Sequence, residues 1–182
     1  MNEIAIKNQT PLPLATNDEI RHAQTKVIER LSADPVAARV TISAAGHVGD
    51  GLACTVKQGK FTTTMDMGPA MGGAAFGPSP GFFARAAIIG CVAIAIKMTA
   101  AREGLKVQSV DVDLETDSDD LAIFGLGGGN AAPLETRISI MVNASEPDGI
   151  IADLIERVLK YDPWFLALRD AQTVLVDARF TR

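Results

Sequence analysis

The sequence predicts an α+β domain built on antiparallel sheets, and three observations carry that prediction. Along the chain the elements read α-β-β-β-α-β-β-α-α-β, with strands in runs rather than alternating with single helices. The first three strands are short and joined by glycine turns, as in a meander. A later segment, "KVQSVDVDLETD", alternates Val110, Val112 and Leu114 with Asp111, Asp113 and Glu115, so one face is buried and the other wet.

The first helix is predicted in "TNDEIRHAQTKVIERLSADP". Thr16 or Asn17 can cap it, Asp18 and Glu19 suit its first turn, and Pro35 stops it. Ile20, Ala23, Val27 and Leu31 recur at helical spacing. "VAARVTISAAG" (residues 36–46) reads as a strand, with Val40 and Ile42 on one face, and "HVGDG" as a turn. "LACTVKQ" and "KFTTTMDM" are the next two strands, joined at Gln58-Gly59.

"GPAMGGAAFGPSPG" is too rich in Gly and Pro for regular structure and feeds a long helix. Ser79 is its expected N-cap, Pro80 its first residue and Gly104 its C-terminal glycine. After the alternating strand, "DSDDLAIFGLGGGNAAP" is an irregular excursion and "LETRISIMVNA" another strand. "PDGIIADLIERVLKYD" is a helix with Ile150, Leu154 and Val158 on one stripe. Pro163 interrupts it, "PWFLALRD" adds one or two turns, and "QTVLVDARF" reads as a closing strand.

The 182 residues are 47% hydrophobic and 21% charged, enough for one domain with a real core. A net charge of −5 and the lack of a Lys/Arg cluster argue against a nucleic-acid partner. The N-terminal residues have neither a basic start nor a long apolar run, so the cytoplasm is the expected location. The most apolar stretch, Ala86 to Ile96, lies between Arg85 and Lys97. It falls well short of the ~20 residues that cross a bilayer. No membrane partner is expected.

Chemistry centres on two cysteines, Cys54 and Cys91. Cys91 is midway along the apolar helix, with Ala84, Ala87, Ile88, Ala95 and Met98 as helical neighbours. These small residues suit close approach of another helix, so packing is one reading; free Cys is among the most buried residue types. A reactive thiol is the other. It would need a cation or base from elsewhere, because the helix N-terminus is about three turns away. Cys54 alternates with Leu52 and Val56 and is expected to face the core. His22 and His47 are scattered from both cysteines, so no metal spacing appears and no cofactor is expected. "GLGGGN" (residues 125–130) leads into a strand rather than opening a helix, which excludes a dinucleotide loop. The acidic "DVDLETDSDD" lacks the glycine and final glutamate of an EF-hand.

"GPSPGFFARAAIIGCVAIAI", followed by "KMTAAREGLKVQSVDVDLE", resembles the OsmC/Ohr family of osmotically inducible and organic-hydroperoxide-resistance proteins. The shared elements are the Gly-Pro-x-Pro approach, Pro80 at the helix start, Gly90-Cys91, Gly104 and the strand after it. The likeness covers about Val36 to Phe180. It implies an OsmC-like domain at residues 36–182 behind a helical extension at residues 1–35. The implied assembly is an intertwined homodimer, with sheets around two central helices and active sites at the interface.

The resemblance also implies chemistry. Catalytic members reduce organic hydroperoxides with two cysteines and no metal. The first, which Cys91 matches, becomes a sulfenic acid. The second, in a Cys-Pro segment, resolves it to a disulfide that a dithiol then reduces. Here that segment reads "YDPWF", placing Asp162 where the second cysteine would be. Gly81 stands where catalytic members carry a glutamate that helps place an arginine by the thiol. Arg85 is on the right helix, but no motif assigns it that role. Cys54 is an alternative resolving partner.

Two functions follow as expectations. One is a one-cysteine hydroperoxide reductase using Cys91 and an external thiol. The other is a non-catalytic protein binding a small apolar or electrophilic ligand in the interface pocket, with Asp162 lining it.

Overall fold

The computed structural model describes residues 14–180. Residues 1–13 of the expected extension, with 181 and 182, lie outside the described residues. Up to the C-terminal segment the order of elements is the expected one, apart from short helical turns in the two loops expected to be irregular. Helix α1 (Asn17–Ala33) is capped by Thr16, whose hydroxyl accepts from the Glu19 N–H while the Glu19 carboxylate accepts from the Thr16 N–H. None of its residues is buried, the apolar stripe included. It lies along α2 (Pro80–Glu103), where Gln24 Nε2 donates to the Met98 carbonyl at 3.3 Å.

The first sheet holds β1 (Ala45–Val48), β2 (Cys54–Gln58) and β3 (Phe61–Met65) in an antiparallel meander. The strand expected at residues 36–46 is a correction: only its last two residues are strand, and His47 pairs with Thr55 instead of turning. Register gives the reason. Ala45 pairs with Lys57, so residues upstream run past the end of β2 and find no partner. The sheet makes no extensive contact with α2 or the second sheet.

Between β3 and α2 the chain is tied down by Asp66, a buried carboxylate accepting from the N–H groups of Met67 (2.7 Å), Ala74 (3.1 Å) and Phe76 (3.1 Å). These bonds, the Phe76 one foremost, hold its pKa below the usual value. Two glycines let the backbone close up: a Cβ on Gly73 would sit 1.9 Å from the Met67 carbonyl oxygen, and one on Gly77 2.1 Å from that of Thr64.

Ser79 then caps α2 with Pro80 at its first position, and Gly104 ends it in the left-handed conformation at φ +77°. At 24 residues α2 is long and apolar enough, by length and composition, to cross a bilayer. One face of it is instead core. Val92, Ile96 and Ala100 pack with Val107, Leu154 and Val158, against β4 (Val107–Asp117), β5 (Glu135–Ala144) and α4 (Asp148–Leu159). β4 and β5 form the second antiparallel sheet, with Val112 opposite Ile140 and Leu114 opposite Ile138. The excursion between them contains one helical turn, α3 (Asp120–Ile123), capped by Asp119. On α4, Leu154 and Val158 are buried as expected, but Ile150 at the start of the stripe is exposed.

Helix α5 (Pro163–Arg169) follows a break of three residues. The closing strand expected over residues 172–180 is absent as a strand. The segment pairs with no other described residue, and its apolar side chains, Leu175 and Phe180 among them, are almost fully exposed. A strand needs a neighbouring backbone to bond, and this one has none among the described residues.

Candidate functional site

Cys91 is half-buried on α2, and the turn between α4 and α5 brings Asp162 to it. Local sequence explains why. Pro163 cannot continue α4 and suits the first position of a new helix, so Asp162 becomes the N-cap of α5. Its Oδ1 accepts from the Phe165 N–H at 2.8 Å. Its Oδ2 is buried and receives no N–H or O–H among the described residues. The whole residue is 1% exposed.

The electrostatics of the thiol follow from these neighbours. Burial pushes the Cys91 pKa up, and the neighbouring Asp162 carboxyl pushes it further. The Trp164 N–H, in the first turn of α5, acts the other way on the sulfur. The net direction is upward, so near neutral pH Cys91 is a thiol rather than a thiolate.

The thiol opens onto a groove of about 410 Å³. Cys91, Ala95, Met98 and Arg102 line one wall, at helical spacing along α2; Val158, Tyr161 and Pro163 line the other. A larger cavity of about 610 Å³, between β5 and α5, shares no residue with this groove and contains no thiol. The Cys91 groove is the candidate site because it joins a cavity to a half-buried thiol. Among the described residues no cluster of three or more His, Cys, Asp or Glu is placed to hold a metal ion.

The structure joins Cys91 and Asp162 and separates the other candidates. Arg85 does not line the groove; its guanidinium lies over Gly81, whose Cβ would come within 3.3 Å of Nη1. Cys54 is free and half-buried in the first sheet, on the face it shares with Val56. Sequence reasoning missed Arg102 and the Trp164 N–H. Arg102 was readable, since positions 91, 95, 98 and 102 fall on one helical face. The Trp164 N–H was not, because it depends on how α5 docks.

Comparison with known proteins adds to this geometry. The family model described as OsmC-like protein matches residues 72–176, a span containing both Cys91 and Asp162. No curated protein matches the chain. Among solved structures, an OsmC-like protein from Mycoplasma pneumoniae is similar with a TM-score of 0.62 at 14% identity, over 71% of this chain and 88% of that one. An organic hydroperoxide resistance protein OsmC from Legionella pneumophila is similar with a TM-score of 0.50 at 16% identity, over 71% and 90%. With the α+β architecture and antiparallel sheets already described, these matches show that the chain has the OsmC-like fold and belongs to the OsmC/Ohr family.

Proposed function

We propose that the protein is a one-cysteine organic hydroperoxide reductase whose nucleophile is Cys91. The observation that carries the reading is the placement of a half-buried thiol in the wall of an apolar groove, against the N-terminus of α5. The similar Legionella protein is named for organic hydroperoxide resistance. In this reading the Cys91 thiolate attacks the peroxide oxygen as the O–O bond breaks, giving a cysteine sulfenic acid and an alkoxide that takes up a proton to leave as the alcohol. An external thiol then attacks the sulfenic sulfur, water leaves, and a second thiol releases Cys91 and a disulfide. Asp162 cannot supply that second thiol.

The working unit in this proposal is a homodimer. Ala84, Ala87 and Ile94 on α2 and the extended residues 174–176 are exposed apolar surface that a second copy would cover. Sedimentation should find a dimer at micromolar concentration; a monomer would remove this part of the reading.

One observation favours a second reading. A thiol raised by burial and by a neighbouring carboxylate is a poor nucleophile at neutral pH, and suits a groove that binds an apolar ligand without turnover. The deciding experiment is consumption of cumene hydroperoxide with dithiothreitol, by wild type and Cys91→Ser, at pH 7 and pH 9. The reductase reading expects turnover that Cys91→Ser abolishes. Equal rates for both proteins at both pH values would leave only the binding reading.

A further inference from the structure

Asp162 is buried with half of its carboxyl idle. Oδ1 holds the first turn of α5, while Oδ2 receives no N–H or O–H among the described residues. A residue 1% exposed with an open acceptor is uncommon, because a buried polar atom ordinarily finds a partner. Arg102, the cation lining the same groove, is bonded to Gln24 and Thr99 instead. The group that the carboxyl faces is the Cys91 thiol, and both line one groove.

A thiol makes little use of that acceptor, because its S–H is a weak donor. A sulfenic acid differs in two ways. It carries an O–H, a strong donor, and it sets that donor one atom beyond the sulfur. The open acceptor therefore suits the oxidised side chain better than the resting one. The carboxyl also opposes negative charge on the sulfur it faces, and the same opposition applies to a sulfenate anion.

We propose that Asp162 accepts a hydrogen bond from the Cys91 sulfenic acid, keeping that intermediate protonated and slowing its oxidation to the sulfinic acid. The proposal rests on the reductase reading of Cys91. With a carboxyl where a second cysteine would stand, the sulfenic acid must wait for a thiol from solution. The competing fate is a second hydroperoxide. The sulfenate sulfur attacks its terminal oxygen and the O–O bond breaks. The sulfur is oxidised to a sulfinate, and the alkoxide takes up the proton of the transferred hydroxyl and leaves as the alcohol. A proton held on the sulfenic oxygen withdraws the anion from that step. It also leaves a hydroxyl ready to depart as water when the external thiol attacks.

The test uses full-length protein carrying Cys54→Ser, so that Cys91 is its sole thiol. One equivalent of cumene hydroperoxide without reductant forms the sulfenic acid, which dimedone traps for mass spectrometry. A second pulse, in excess, then drives sulfinic acid formation. Its rate is read from the preformed sulfenic acid, so differences in the first oxidation do not enter. Asp162→Asn and Asp162→Ser both keep a capping oxygen for the Phe165 N–H. Asparagine then turns its NH2, a donor, to the sulfur, and serine has no second oxygen to offer. Both variants should form sulfinic acid several-fold faster than the protein with Asp162. An equal or slower rate in either folded variant would overturn the proposal and leave the reductase reading standing. No dimedone adduct in any of these proteins would remove the reductase reading, and this proposal with it.

Discussion

The Asp162 carboxyl faces the Cys91 thiol and favours its protonated form. The same Asp162 also caps α5. One residue thus sets the local fold and holds the thiol it faces in its protonated form.

Asp162→Asn separates these roles, because asparagine caps a helix nearly as well as aspartate. The variant should fold like wild type and lower the Cys91 pKa. Iodoacetamide alkylation of Cys91 at pH 7 should accelerate several-fold. An unchanged alkylation rate, with folding confirmed by circular dichroism, would refute the electrostatic role.

The wild-type thiol should show the matching pH dependence. Burial and Asp162 raise its pKa above the ordinary ~8.5, and only the thiolate reacts. Alkylation of Cys91 should rise about tenfold per pH unit from pH 7 and keep climbing past pH 8.5. The check is the alkylation rate against pH, with Cys54→Ser used to isolate Cys91. A plateau below pH 8 would contradict the site's geometry.

Asp162→Cys should rebuild the two-cysteine arrangement, since the residue lines the same groove as Cys91. One equivalent of hydroperoxide should then give a disulfide between Cys91 and the introduced thiol, seen as the loss of two mass units in a peptide map. The lost cap should cost about 1 kcal/mol of stability. Persistent sulfinic acid on Cys91, with no disulfide, would show that the side chains cannot reach bonding geometry.

Asp66→Asn should loosen the segment that feeds α2. Asparagine offers one carbonyl oxygen where the carboxylate offers two, against three N–H donors. Limited proteolysis should cut within residues 67–76 faster than in wild type. Because the folded-state pKa of Asp66 is depressed, its contribution is present above the usual carboxylate range and is lost as pH falls below it. Wild type should therefore become cleavable there in acid, while the variant should show little further change.

Leu154→Ala should lower stability by about 2–5 kcal/mol, because Leu154 is fully buried among Val92, Ile96 and Val158. Ile150→Ala, on the exposed turn of the same helix, should cost far less. Denaturant titration of both compares them directly.

Much of this was legible in the sequence wherever local signals decide the outcome. Thr16 with Glu19, Ser79 with Pro80, and Gly104 mark helix ends through their own backbone chemistry, and the structure has each helix end there. Cys91 and Asp162 were legible as a pair through family likeness, and in the fold both line one groove. The failures have a common cause. Residues 36–44 and 172–180 have strand-like composition but no strand partner among the described residues, and composition cannot count partners. Asp66 was invisible for the opposite reason: its three donors come from turns whose geometry only the folded loop supplies.

Trp164 is the chain's single tryptophan, and its backbone N–H faces the Cys91 sulfur. Its indole is half exposed at the start of the shortest helix after α3. Light absorbed at the indole band therefore reports from one place only, the first turn of α5. Oxidation of the neighbouring sulfur, or movement of that turn as the groove fills, should change its emission without any label. The site comes with its own optical reporter, and stopped-flow fluorescence can time each chemical step proposed for it.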